Sequence, residues 1–254
     1  MHGERHGIKK GVCIMGYGLQ LFSVRDITKE DLKGALKKVA DLGYESVEFA
    51  GFFGHSAEEV TGWLKEFGLK VSGTHTGMQE IDGNFEETLA YHKAIGNKNI
   101  IVPWADLKTK AAVDEMIEKL NKYDELLSKE GIKLAYHIHD FEFKPNEDGV
   151  VPFDEIVKRT NIDLEIDTFW VYAAGKCPMC LLKELKDRVH IIHIKDGLEN
   201  GDGFPLGKGT APVAKVYETA KALGMYMVVE SETLTPDGIT EAAVCIDYLK
   251  SLEK

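Results

Sequence analysis

The residues of this chain that can do chemistry crowd at the ends of short apolar runs. His137, His139 and Glu142 stand at one such end, Glu165 and Asp167 at the next, His193 and Lys195 at a third, and Glu230 and Glu232 at a fourth. His75 and Glu48 close two earlier runs. Alternate residues of a strand share a face, so Glu165 goes with Asp167, His193 with Lys195 and Glu230 with Glu232. The residues between them, Leu164, Ile166, Ile192, Ile194 and Val229, are apolar and suit packing under helices, with Ser231 the polar exception. Carboxylates brought together in this way cannot all stay ionised unless something positive neutralises them. One divalent cation, held by three carboxylate oxygens and one imidazole, meets that demand. Oxygen-rich ligation of this kind suits manganese or magnesium, manganese being the first choice, with cobalt, iron or zinc as further candidates. A lone histidine at a strand end is more often a structural hydrogen bonder. Four strands offering ligand-type residues together reverse that reading.

What must position these groups is a regular alternation of elements. Candidate strands fall at 18–22, 46–50, 70–75, 99–103, 133–139, 163–169, 189–195 and 226–232. Helical patterns follow them at 31–42, 57–67, 85–95, 113–129, 152–159, 181–186, 213–223 and 239–252. Gly43, Gly68, Gly96, Gly131 and Gly224 each come just after a helical stretch, where a left-handed C-cap favours glycine. Eight strands and eight helices are what a closed barrel requires, and 254 residues is its ordinary size. A doubly wound open sheet alternates similarly, but no glycine-rich turn follows the first strand here. The reading is therefore an α/β chain forming a single-domain (β/α)₈ TIM barrel over 18–254, with residues 1–17 as a lead segment. Catalytic groups of such barrels come from the C-terminal ends of several strands, which is where the histidines and carboxylates lie. The longest irregular stretch, 196–212, carries five glycines and two prolines, and a loop of that length points to function.

Composition narrows the partners. A net charge of −11, with no compensating stripe of Lys and Arg, disfavours nucleic acid. No apolar run approaches a membrane span, and the first eleven residues lack the apolar core of a signal peptide, so a reducing cytoplasm is the expected compartment. Of Cys13, Cys177, Cys180 and Cys245, only Cys177 and Cys180 form a C-x-x-C, and no second pair completes a zinc site. They are expected to be loop thiols.

Several segments also resemble a known family. Leu19-Gln20-Leu21-Phe22-Ser23-Val24-Arg25, Gly43-Tyr44-Glu45-Ser46-Val47-Glu48-Phe49 and Tyr136-His137-Ile138-His139-Asp140-Phe141-Glu142-Phe143 carry the resemblance. So do Asp167-Thr168-Phe169-Trp170, His193-Ile194-Lys195-Asp196, Leu206-Gly207-Lys208-Gly209 and Val229-Glu230-Ser231. Together they are similar to the xylose isomerase-like TIM barrels, often called sugar phosphate isomerases/epimerases, in the AP endonuclease family 2 superfamily. The resemblance implies a Glu–Asp–His–Glu metal site, here Glu142, Asp167, His193 and Glu230. Many relatives carry the first glutamate inside strand five, where this chain has His137 and His139, so His139 can replace Glu142 or add to it. His-Ile-His also stands where relatives usually read His-Asn-His, and Cys177 to Cys180 replaces a plainer loop.

A metal in such a site polarises a carbonyl and acidifies the neighbouring C–H, after which a base removes the proton and an acid returns one. The resemblance gives Glu142 and Glu230 those roles on opposite faces of the substrate. Lys195 is either a third catalytic group, its pKa lowered beside a cation, or a fixed ammonium paired with Asp167 or Glu232. Glu48, His75, His137 and His139 are candidates for binding substrate hydroxyls, and Trp104, Trp170 and Phe22 for offering flat faces to a sugar ring. The expected function is a metal-dependent isomerase or epimerase acting on a small carbohydrate. A lyase or hydratase acting on a 3-keto-glycoside or inosose is the second reading, and a metal-dependent sugar-binding or sensor barrel the third. The endonuclease branch needs more metal-binding histidines and a basic groove.

Overall fold

The structure, a computed structural model, describes residues 16–254. The lead segment therefore falls almost wholly outside the described residues, together with Cys13 and the stretch read for a signal peptide. Eight parallel strands close into a barrel: β1 (Gly18–Gln20), β2 (Ser46–Phe49), β3 (Lys70–His75), β4 (Asn99–Val102), β5 (Lys133–Ile138), β6 (Asp163–Asp167), β7 (Ile191–Ile194) and β8 (Tyr226–Val229). Each pairs with its neighbours in chain order, and β1 pairs with β8 to complete the ring. The expected (β/α)₈ architecture is the one observed. No helix among the described residues is long and apolar enough to cross a membrane.

The helices bury one apolar stripe each against the outside of the ring. In Leu32–Leu42 the stripe is Leu32, Ala35, Leu36 and Val39, a helical spacing, and Asp31 caps the first turn. Ala57–Phe67 begins with a reciprocal capping box between Ser56 and Glu59 and ends at Gly68 with φ 71°, the left-handed conformation that stops a helix. The outward residues of the strands, among them Leu164, Ile166, Ile192 and Ile194, are fully buried beneath these helices.

The strands stop earlier than the apolar runs suggest, because polar residues at their ends turn the chain. Asp167 ends β6 by accepting hydrogen bonds from the Phe169 and Trp170 N–H groups, which starts the helix Thr168–Ala173 inside the expected strand. Gln20 does the same for a 3₁₀ turn at Leu21–Val24. Lys195, Glu230 and Glu232 consequently stand just beyond their strands. The short helices Arg25–Thr28 and Met78–Gly83 were not foreseen.

Two further expectations need correction. Cys177 and Cys180 are joined as a disulfide rather than standing as loop thiols; a three-residue separation in the first turn of Pro178–Glu184 brings their Cα atoms to 5.3 Å. Residues 196–212 are not irregular throughout. They contain a two-stranded hairpin, Asp196–Gly197 against Gly203–Phe204, organised by one side chain. The buried Asp196 carboxylate accepts from the N–H groups of Gly197, Gly207, Gly209 and Ala211. A Cβ at Gly209 would lie 2.4 Å from Asp196 Oδ1, so only glycine lets the backbone come this close. Asp196→Ala leaves those donors without an acceptor and should cost about 3 kcal/mol. Urea unfolding checks the loss, and new protease cleavage within 198–206 should accompany it.

Candidate metal centre

Strand register stacks the polar groups in two layers at the mouth of the barrel. His137 on β5 is level with Glu165 on β6, and Asp167 is level with His193 on β7. Gln20 on β1 is level with Glu48 on β2, which is level with Gly73 on β3. A Cβ at Gly73 would sit 2.9 Å from Glu48 Oε2, so the missing side chain makes room for the carboxylate. Glu48, His137, Glu142, Glu165, Asp167, His193, Lys195 and Glu230 are all buried.

In the lower layer, three imidazoles converge on two carboxylates. Glu165 Oε2 lies 2.9 Å from His75 Nε2, 2.9 Å from His137 Nδ1 and 3.3 Å from His193 Nε2. Glu48 Oε1 lies 2.7 Å from His193 Nε2, 3.1 Å from His75 Nε2 and 2.7 Å from the Gln20 amide. In the upper layer, Glu230 Oε2 lies 3.3 Å from His193 Nδ1 and 3.2 Å from Lys195 Nζ. Lys195 also contacts Glu232, stands 3.8 Å from Asp167 Oδ2 and lies 4.9 Å above the centre of the Trp170 ring.

The electrostatics divide these groups sharply. Burial alone would raise the Glu48 carboxyl, but His193 and His75 pull it well below the usual range. Burial likewise opposes ionisation of Glu230, and Lys195 and His193 overcome it, so this carboxylate too stays charged. Burial and the neighbouring Glu48 charge push Glu165 up to about 7. Burial lifts Asp167 to about 6, the Glu230 charge adding to it against Lys195. Burial would depress His75, but Glu48 and Glu165 raise it to about 9, and the same two charges with Glu230 raise His193. His137 moves the other way, kept neutral by burial and by the other imidazoles, so its contact with Glu165 is a hydrogen bond at a neutral ring rather than an ion pair. Burial would lower Lys195 as well; Glu230, Asp167 and Glu232 outweigh it and raise the amine, which makes Lys195 a fixed cation in the metal-free protein.

This donor set fits a divalent cation. Ligand atoms of His137, Asp167, His193 and Glu230 lie within 4.8 Å of one another, and those of His75, His137, Glu165 and His193 form a second, deeper group of the same compactness. The upper group fits better. It supplies two carboxylates rather than one; a buried carboxylate oxygen with no hydrogen-bond partner is found in both groups, Asp167 Oδ2 in the upper and Glu165 Oε1 in the deeper. Glu142, expected as a ligand, is not in either group. Its Oε1 accepts from the Tyr136 hydroxyl at 3.1 Å and its Oε2 from the His139 N–H at 2.8 Å.

Comparison with known proteins agrees with this architecture. The family model described as "Xylose isomerase-like TIM barrel" matches residues 36–252. The chain belongs to that family. Among curated relatives of this xylose isomerase-like barrel, the inosose dehydratase of Salmonella typhimurium is 23% identical over 223 residues, covering 77% of this chain and 72% of that protein. The inosose dehydratase of Lactiplantibacillus plantarum is 25% identical over 216 residues, covering 74% and 70%. A sugar phosphate isomerase/epimerase from Parabacteroides distasonis superposes with a TM-score of 0.79 at 22% identity, covering 92% of this chain and 97% of that one. D-psicose 3-epimerase from Clostridium cellulolyticum gives 0.71 at 15%, covering 94% and 99%. These structural likenesses establish the fold.

The remaining expected residues divide between depth and rim. Glu48 is fully buried in the lower layer, in contact with His75, and His137 is buried beside them. His139 and Trp170 are half-buried at the mouth, their rings 6.2 Å apart. Trp104 is exposed and lines a surface cavity of about 340 Å³ with Phe141 and Lys144. Gln20 was missed as a site residue because its amide reads as an ordinary strand residue, and its pairing level with Glu48 depends on strand register that the sequence does not display.

The shifts give a signed expectation for the metal-free protein. The folded value of His75, about 9, exceeds its ordinary 6.5, so the folded state keeps a proton that the unfolded chain releases. That stabilisation is complete below about pH 6.5 and is lost as pH rises through 9. Glu165, raised from 4.5 to about 7, acts in the same direction at lower pH. Calorimetry of chelated protein should show the melting temperature falling between pH 6.5 and 9, and divalent metal should restore it.

Proposed function

We propose that this protein is a divalent-metal-dependent enzyme that removes a proton beside the carbonyl of a small polyhydroxylated ketone, a keto-sugar or inosose. The observation that carries the reading is a buried ammonium beside a buried carboxylate, Lys195 Nζ 3.2 Å from Glu230 Oε2, next to the unpartnered Asp167 Oδ2. Asp167, His193 and Glu230 would hold the ion, with a fourth donor from β5 or the turn after it. When bound there, a divalent cation polarises a carbonyl oxygen and acidifies the adjacent C–H.

The chain's own residues supply the remaining chemistry. Glu230, kept ionised by Lys195 and His193, is placed to take the proton. Glu142, fixed by Tyr136 and the His139 N–H, offers a second carboxylate for another face of the substrate. Lys195 holds a proton ready for an oxygen that gains charge or departs. Trp170 and His139 border the mouth and suit the flat face and hydroxyls of a sugar. Trp104, Phe22 and Phe204 are exposed aromatics on other loops at the same end of the barrel.

Two outcomes branch from enolisation. Return of the proton to another carbon or face gives an isomerase or epimerase. Departure of a β-hydroxyl gives a dehydratase: the C–H electrons form a double bond conjugated with the carbonyl, the C–O bond breaks, and the oxygen leaves as water with a proton from Lys195. The buried Lys195 ammonium favours dehydration, since it sets an acid beside the base, and the name of the curated relatives, inosose dehydratase, points the same way.

Incubation in D₂O with ketoses, inososes and 3-keto-glycosides, followed by NMR, tests the reading. Deuterium entering beside a carbonyl, and ceasing on chelation, is the expected result; loss of water from an inosose identifies the dehydratase, a new ketose epimer the epimerase. Bound metal without exchange on any substrate would instead mean a binding barrel. Asp167→Ala and His193→Ala should each abolish metal retention in a folded protein, read by elemental analysis. Lys195→Met should keep the metal and lower turnover by roughly 10²- to 10⁴-fold.

A further inference from the structure

The lower layer has a geometry that a simple buried salt network does not require. His193 presents one ring nitrogen to each layer, Nε2 to Glu48 Oε1 at 2.7 Å and Nδ1 to Glu230 Oε2 at 3.3 Å. His137 gives Nδ1 to Glu165 Oε2 at 2.9 Å, and its Nε2 makes no hydrogen bond among the described residues. A ligand atom of His137 lies within 4.8 Å of those of Asp167, His193 and Glu230. Glu142, by contrast, has one carboxylate oxygen committed to Tyr136 and the other to the His139 backbone.

We infer that this chain binds its metal through two imidazoles: His137 joins Asp167, His193 and Glu230 in the fourth position, and Glu48 and Glu165 are positioning residues that hold His193 and His137 by their far nitrogens. The inference rests on the metal-dependent reading above. A neutral imidazole has one N–H and one lone pair, and the partner of the N–H decides which nitrogen faces a metal. A hydrogen bond from His193 Nε2 to Glu48 puts the lone pair on Nδ1, toward Glu230. A hydrogen bond from His137 Nδ1 to Glu165 puts it on Nε2. The two acceptors are held in place, because His75 Nε2 bridges them at 3.1 Å and 2.9 Å and the Gln20 amide donates to the same Glu48 oxygen. A carboxylate behind a metal-bound histidine fixes both tautomer and ring orientation. The resulting set of two nitrogens and two carboxylates balances the charge of a divalent ion and shifts preference from magnesium toward iron, cobalt or zinc. Glu142 is left free of the ion.

The test is the proton NMR spectrum of the full chain reconstituted with Co²⁺, recorded in H₂O and D₂O. The far N–H of each metal-bound imidazole gives a strongly shifted signal that disappears in D₂O, and two such signals are expected. Glu48→Gln should displace one and Glu165→Gln the other, each weakening Co²⁺ affinity by about 10- to 100-fold. Glu142→Gln should leave Co²⁺ affinity within about threefold. One exchangeable signal, with binding lost in Glu142→Gln, overturns the inference while sparing the metal-dependent reading. The wild-type spectrum alone decides this if a variant fails to fold. Failure of the wild-type protein to bind Co²⁺ at all would overturn both.

Discussion

Five carboxylates, those of Glu48, Glu142, Glu165, Asp167 and Glu230, are buried in one barrel mouth, and neutralising them is the constraint on which the surrounding structure depends. A buried charge is tolerated only when paired and hydrogen-bonded. His75, His193 and Lys195 supply the pairing in the metal-free protein, and the raised values of Asp167 and Glu165 mark where they fall short. A divalent ion bound to such a cluster would replace protons on it, so metal affinity and acidity would be two views of one balance.

The parallel barrel makes this concentration feasible. Each strand contributes inward residues at two heights, and the register sets His137 beside Glu165 and Asp167 beside His193. Of the lower pair, both side chains are buried, and Glu165 holds His137 by one ring nitrogen. The upper pair, followed at once by Lys195 and Glu230 beyond the strand ends, can be devoted to chemistry. Gly73 contributes by absence, since any side chain there would displace Glu48.

Most of this was legible in the sequence where a single period governed the residues. The spacing of two put Glu165 with Asp167 and His193 with Lys195, and the glycines after helices marked the closed side of the barrel. Legibility failed where a side chain overrode the local pattern. Asp167 reads as the continuation of an apolar strand, yet it caps a helix. Asp196 reads as one residue of a glycine-rich loop, yet its carboxylate gathers four backbone donors. The layered histidine contacts depend on strand register, which no single strand encodes. Glu142 was assigned to the metal through the resemblance, and the turn that brings its oxygens to the Tyr136 hydroxyl and the His139 N–H lies outside the strand period.

The Asp196 clamp bears on how the site is reached. It follows Lys195 directly and pins the longest loop of the barrel face into a hairpin. Four backbone donors gathered by one buried carboxylate give that side of the mouth a defined wall, whose shape then hangs on a single side chain.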